Sequence, residues 1–221
     1  MRDEYEFEPV PGLPENLPAG EAILWQGSPH WKNLALRALH IRGVAIYFAL
    51  LLAWFTLSKL GHGEAAVSVA MSALRLGTLA AVALTLMAVY AWLSATTTIY
   101  TITTRRVVIR AGVALPMIIN LPFTKVEAAS LKTFANGSGD IALTLPASER
   151  FAYLILWPHV RPWRLTRAQP MLRGLPEATA AAAILGDALI AAHAGSAQAA
   201  PQVRESVAPR PVRRPRAAAM A

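Results

Sequence analysis

The chain has 221 residues, a mean hydropathy of +0.39 and only 15% charged side chains. Soluble domains usually carry about 25%, so lipid is expected to be the solvent for part of it. Cysteine is absent and the net charge is +8, which excludes disulfides, thiolate metal sites and cysteine nucleophiles.

Residues 1–40 read as an extended N-terminal arm. Residues 1–29 hold six acids (Asp3, Glu4, Glu6, Glu8, Glu15, Glu21) against Arg2, and Pro9, Pro11, Pro14, Pro18 and Pro29 prevent a continuous helix. The run Ile23 to Gly27 is apolar enough to dock on something. No basic segment precedes an early apolar run, so no cleaved signal peptide is expected.

Residues 41–96 read as a transmembrane helical hairpin, with spans at about 43–60 and 76–94. Gly43 to Leu57 is apolar between Arg42 and Lys59, and Leu76 to Leu93 is apolar after Arg75. Eighteen residues at about 1.5 Å each nearly match a hydrocarbon core of about 30 Å. The snorkelling Arg42 and Lys59 extend the shorter span. Neither run has a charged face to turn toward water, which disfavours a pair of buried helices in a soluble protein. Lys32, Arg37 and Arg42 before the first span and Arg105, Arg106 and Arg110 after the second outweigh Lys59 and Arg75 between them. Positive flanks favour the cytoplasm, so both termini are expected inside. Tyr90 and Trp92 fit an interfacial aromatic belt. Ala45, Ala49 and Ala53 in one span, and Ala73, Gly77, Ala81 and Thr85 in the other, form small-residue ridges that suit close helix packing. An alanine-rich chain also produces such spacing by chance.

Residues 97–194 change period. Thr98 to Thr103 alternates like a strand, Arg106 to Arg110 forms a second, and Ala111-Gly112 marks a turn. Met117 to Leu121 and Phe123 to Phe134 read as further strands, with Pro116 and Pro122 as breaks. Asn136 to Asp140 is a hairpin loop by its turn chemistry, which outweighs the glycosylation sequon that Asn136-Gly137-Ser138 also spells. Ile141 to Leu145 and Phe151 to Trp157 complete the β-rich set, and Pro158 to Leu175 reads as irregular. Pro176 to His193 gives one helix, started by Pro176 and Glu177. Strands closed by one helix make an α+β domain. Residues 195–221 are an Ala/Pro/Arg tail expected to be disordered.

The search for chemistry ends without an enzyme. The five histidines (His30, His40, His62, His159, His193) form no metal-ligand pair, and no nucleophile elbow or Gly-rich phosphate loop is present. Carboxylates in the domain are scattered. No catalytic, cofactor-binding or metal residue is therefore assigned. Pigment ligation by an axial imidazole has no candidate inside either span, and His40 is read as an interfacial polar residue.

Interaction character concentrates elsewhere. Residues 101–175 hold ten Lys or Arg against Glu127, Asp140 and Glu149. Such charge beside a membrane attracts anionic lipid; with hydrophobic spans adjacent and no recognition motif, nucleic acid is not expected. Candidate partner or lipid contacts are Trp157, Arg161, Trp163, Arg164 and Arg167, with Arg105 and Arg106. Three readings stand for the Trp157 to Arg167 stretch: a protein-binding hot spot, a membrane-interface patch, or an edge segment burying Trp157 in the core.

Leu24-Trp25-Gln26-Gly27-Ser28-Pro29, the two spans and Tyr100-Thr101-Ile102-Thr103-Thr104-Arg105-Arg106 resemble bacterial membrane proteins with a pleckstrin-homology-like domain. Phe7 to Pro14, Gly139 to Leu143 and Tyr153 to Trp163 narrow the resemblance to the photosynthetic-complex assembly proteins of purple bacteria, over roughly residues 5–190. It implies an α+β membrane protein in which a transmembrane hairpin precedes a cytoplasmic PH-like β domain closed by one C-terminal helix. It further implies a helper, without catalytic residues or cofactor, that docks transiently on reaction-centre and core-antenna subunits in the inner (intracytoplasmic) membrane. The runner-up is a general membrane scaffold or lipid-sensing PH-like protein. A homo-oligomer is compatible with either.

Overall fold

The computed structural model describes residues 10–13, 15–149 and 151–199, with side chains to 194. Its elements in chain order are β1 (Ile23–Gly27), α1 (Trp31–Arg37), α2 (Ile41–Gly61), α3 (Ala66–Thr97), β2 (Ile99–Thr103), β3 (Arg106–Ala111), β4 (Met117–Pro122), β5 (Ala128–Thr133), β6 (Gly139–Thr144), α4 (Tyr153–Leu156), β7 (Met171–Leu175) and α5 (Ala178–Ala199).

Two helices are long and apolar enough to cross a membrane. At about 1.5 Å per residue, the 21 residues of α2 match a bilayer core and the 32 of α3 overshoot it. None of the most apolar stretch of α2 is buried, and 6% of that of α3. They pack on each other across the turn after Gly61, where Lys59 Nζ meets Glu64 Oε2 at 2.8 Å. Half-buried stripes recur at helical spacing on both, such as Val44, Phe48, Leu51 and Leu52 on α2 and Ser72, Leu76, Ala80 and Leu84 on α3. The expected small-residue ridges coincide with these stripes only in part: Ala45, Ala73 and Gly77 are half-buried. Ala49, Ala53, Ala81 and Thr85 lie exposed outside the stripes, and a Cβ on Gly77 would meet nothing within 4 Å.

The domain beyond them is built from two antiparallel sheets, β1-β2-β3-β4 and β5-β6-β7. The β-branched alternation of β2 and β3 pairs Tyr100 with Ile109 and Ile102 with Val107. Those side chains enter one core with Leu121, Phe123, Ile141, Leu143 and Leu172. Helix α5 closes that core with Ala178, Ala181, Leu185 and Ala188, which recur every three or four residues on one face.

Several sequence expectations need correction. Residues 1–9 and 14 of the expected arm fall outside the described residues, and the rest is not merely extended: Ile23–Gly27 is an edge strand hydrogen-bonded to β2, and Trp31–Arg37 is a helix buried through Asn33, Leu34 and Ala35. Phe123–Lys125 is a 3-10 turn before β5, because Phe123 turns into the core. Phe151 to Trp157 holds the short helix α4 rather than a strand. The irregular Pro158 to Leu175 ends in β7, which pairs with β6. Of the tail, residues 195–199 continue α5, and 200–221 fall outside the described residues.

Candidate functional site

The Tyr-Thr-Ile-Thr-x-Arg-Arg element spends most of its polar groups on the fold. Thr103 Oγ1 accepts the N–H groups of Arg105 and Arg106 at 3.1 and 3.0 Å and thereby sets the β2–β3 turn. Thr101 Oγ1 accepts Gln26 Nε2 at 3.0 Å, and the same amide donates to Pro11 O. Arg106 holds Glu21 in a two-point pair, Nε to Oε1 at 2.8 Å and NH2 to Oε2 at 3.1 Å. Burial raises the Glu21 carboxyl, but Arg106 and Thr103 together hold it below the usual carboxylate range. Of the two arginines proposed as contacts, Arg106 is therefore committed to the arm, and Arg105 is exposed at the turn.

The Trp-Pro-His segment divides in the same way. His159, 2% exposed, lies between α3 and β2, with Nε2 3.1 Å from Thr98 Oγ1 and Nδ1 2.7 Å from Tyr100 Oη. Thr98 donates its hydroxyl proton to Ser94 O at 2.6 Å. Its oxygen must then accept from His159, so His159 carries its proton on Nε2 and Nδ1 accepts from Tyr100. Tyr100 Oη in turn accepts the Arg173 N–H at 3.1 Å. This one-way chain runs from β7 through β2 to the last turn of α3. Arg173 extends it, donating to Pro158 O at 3.1 Å and to Arg37 O, the last residue of α1, at 2.9 Å. Burial pushes the Tyr100 hydroxyl well above the phenol range. Burial first, and the Arg173 charge second, pull His159 down to about 3, so the imidazole is neutral. The long helix and the β domain are thus joined by a buried polar linkage.

What remains of the segment faces outward. Trp157 joins a half-exposed stack on Tyr90 of α3, ring centroids 5.4 Å apart. Leu115, Leu154 and Ile155 are exposed, and Leu115 and Ile155 line a small cleft with Tyr90 and Trp157. The loop after Val160 is pinned at its base by the Val160–Pro170 bridge and the Arg161 N–H to Gln169 O bond at 2.9 Å. At its tip Trp163 is 93% exposed at φ 64°, with Arg164 and Arg167 exposed beside it. A bulky residue in the left-handed region costs about 1–3 kcal/mol and is characteristic of functional loops. Arg161 is separated from this tip: its guanidinium donates to Gln169 Oε1 at 3.1 Å and lines a pocket below.

That pocket, about 510 Å³, was not anticipated, because its walls come from five separate stretches. Leu36, Arg37 and His40 come from the end of α1, Ser130 to Lys132 from β5, and Asp140 and Ala142 from β6. The loop supplies Arg161 and Pro162, and β7 supplies Met171 and Arg173. Among the described residues, no three His, Asp or Glu side chains converge to hold a metal ion.

The bacterial PH domain family matches residues 41–189. A Rhodobacter capsulatus protein, described as an uncharacterized 23.7 kDa protein in the puhA 5′ region, is 40% identical over 186 residues, which span 84% of this chain and 87% of that protein. No solved structure matches the chain.

Proposed function

The chain belongs to the bacterial PH domain family, and from that premise we propose that it is a membrane-anchored, PuhB-type assembly factor for the photosynthetic reaction centre and its core antenna. Helices α2 and α3 form the transmembrane hairpin, with both termini in the cytoplasm. The observation that carries the reading is the relative at 40% identity, which is described by its place in the puhA 5′ region. Membrane insertion is supported by the absence of any buried residue in the most apolar stretch of α2: a core helix of that hydropathy would be covered by protein.

The factor works by docking rather than by chemistry. Trp163 offers a large apolar side chain from a loop braced at its base, so little entropy is lost when a partner closes on it. Arg164 and Arg167 beside it are, like Trp163, of the residue types enriched in interface hot spots. A client subunit is held while it inserts and is then released to the growing complex.

The test is Trp163→Ala in a host lacking the native protein. Near-infrared absorbance of the membranes, normalised to the amount of this protein, should fall for reaction centre and core antenna while the protein itself accumulates normally. Unchanged absorbance would remove Trp163 as the docking anchor.

A further inference from the structure

The turn between β3 and β4 has a composition that neither the core nor the Trp163 loop accounts for. Residues 112–116 read Gly-Val-Ala-Leu-Pro, and no charged residue stands between Arg110 and Lys125. Val113 is exposed and Leu115 is 83% exposed. Helix α4 has the same character, with no charge between Arg150 and His159. Leu156 anchors it in the core, while Ile155 is exposed and Leu154 is 85% exposed. Leu115 and Ile155 line one cleft, so the turn and α4 form a single apolar patch. Single exposed apolar side chains are ordinary on a protein surface, whereas a contiguous patch marks an interaction surface.

Strand register fixes where this patch lies. Helix α3 ends at Thr97 and leads into β2 at Ile99. Ile99 pairs with Arg110, and Ala111 pairs with Met117, so the 112–116 turn sits at the α3 end of the sheet. The β2–β3 turn, with Thr104 and Arg105, sits at the opposite end, about 15 Å away at roughly 3.3 Å per residue. The end beside the span is apolar and the far end carries the arginine. The cleft is completed by Tyr90 and Ser94, at the end of the apolar run of α3 that closes at Leu93. We propose that the 112–116 turn and α4 form an apolar foot resting in the bilayer, with Leu115, Leu154 and Ile155 among the upper acyl chains. Lipid is the occupant because the patch continues the surface of the span. Irregular backbone is not stable in the hydrocarbon centre, so the foot stops at the boundary of headgroups and acyl chains, the depth of amphipathic surface helices. Apolar burial drives the contact, without any of the cations. The foot gives the β domain a second attachment besides the α3–β2 connection, and so sets the tilt at which the Trp163 loop is presented. The inference rests on the membrane insertion proposed above and not on the assembly role.

The chain has no cysteine, so a single introduced thiol can carry a nitrobenzoxadiazole fluorophore at a chosen site. Leu115→Cys, Leu154→Cys, Arg105→Cys and Leu50→Cys, each in the full chain, are labelled and reconstituted into vesicles of phosphatidylcholine. Neutral lipid removes any attraction of basic surface to anionic headgroups. Quenching is read from two sides: by iodide present on both faces of the vesicle, and by phosphatidylcholine carrying nitroxides on its acyl chains. Labels at 115 and 154 should be quenched by the lipid nitroxides and shielded from iodide several-fold relative to the label at 105. Leu50, exposed midway along α2, reports insertion itself. Lipid quenching at 50 with full iodide access at 115 and 154 would overturn the foot and leave the hairpin standing. Iodide access at all four sites would overturn the insertion and the foot with it. Shielding at 115 and 154 without quenching from lipid would mean that a second copy of the chain covers the patch, which also overturns the proposal.

Discussion

Removing one oxygen atom should loosen the joint between the long helix and the β domain. In Tyr100→Phe the ring stays in the core and no cavity opens, but His159 Nδ1 loses its donor and the Arg173 N–H loses its acceptor. Both groups are buried, and a buried polar group left unpaired costs about 1–3 kcal/mol. Two of them give about 3 kcal/mol, or roughly 6–12 °C in Tm for a chain of this size. The assay is denaturant unfolding of the detergent-solubilised protein followed by tryptophan fluorescence, to which Trp157, beside the joint, contributes. Combining Tyr100→Phe with His159→Asn should cost clearly less than the sum of the single changes, because the two groups share one hydrogen bond. A loss below about 0.5 kcal/mol for Tyr100→Phe, within the range of neutral surface changes, would refute the linkage.

Acid should act through the same joint. Folded His159 is neutral down to about 3, whereas the unfolded imidazole takes up its proton near the ordinary value of 6.5. The unfolded state therefore binds more protons between those values, so this contribution is complete above about pH 6.5 and declines by about 1.4 kcal/mol per unit as pH falls. Stability measured at pH 7 and pH 5 should differ by about 2 kcal/mol, and His159→Gln should flatten that slope. For topology, a periplasm-active reporter should work when fused near Glu64 and fail at the C-terminus. Activity of a cytoplasmic reporter at Glu64 would invert the hairpin.

Much of this architecture is legible from residue patterns because it rests on local signals. The apolar runs after Arg42 and Arg75, the alternation of Thr98 to Thr103, the Asn-Gly turn at 136–137 and the helical spacing of Leu185 and Leu189 each declare their element. The misses are short or held by distant partners. Helix α4 has 4 residues and α1 has 7, too few for a 3.6-residue period to stand out. Strand β1 is bounded by Pro18 and Pro29, and its pairing depends on β2, more than 70 residues away. Strand β7 contains a buried arginine and Gly174 at φ 68°, which break the apolar pattern of a buried strand. Trp157 to Arg167 stands out in composition, but sequence alone does not divide it into an inward His159 and an outward Trp163. That division follows from Thr98 and Tyr100 closing on the imidazole across some 60 residues. The basic pocket had no local signal, since adjacent wall residues are no guide to side chains gathered from α1, β5, β6 and β7.

The docking claim is tested most directly by placing a photo-activatable phenylalanine analogue at position 163 and irradiating cells that are building their photosynthetic membrane. Position 190, where Ile190 is 70% exposed on the outer face of α5, serves as the control. The account predicts adducts between position 163 and a reaction-centre or core-antenna subunit, strongest during induction and absent from position 190. No protein adduct at 163, or the same adducts at both positions, would contradict it.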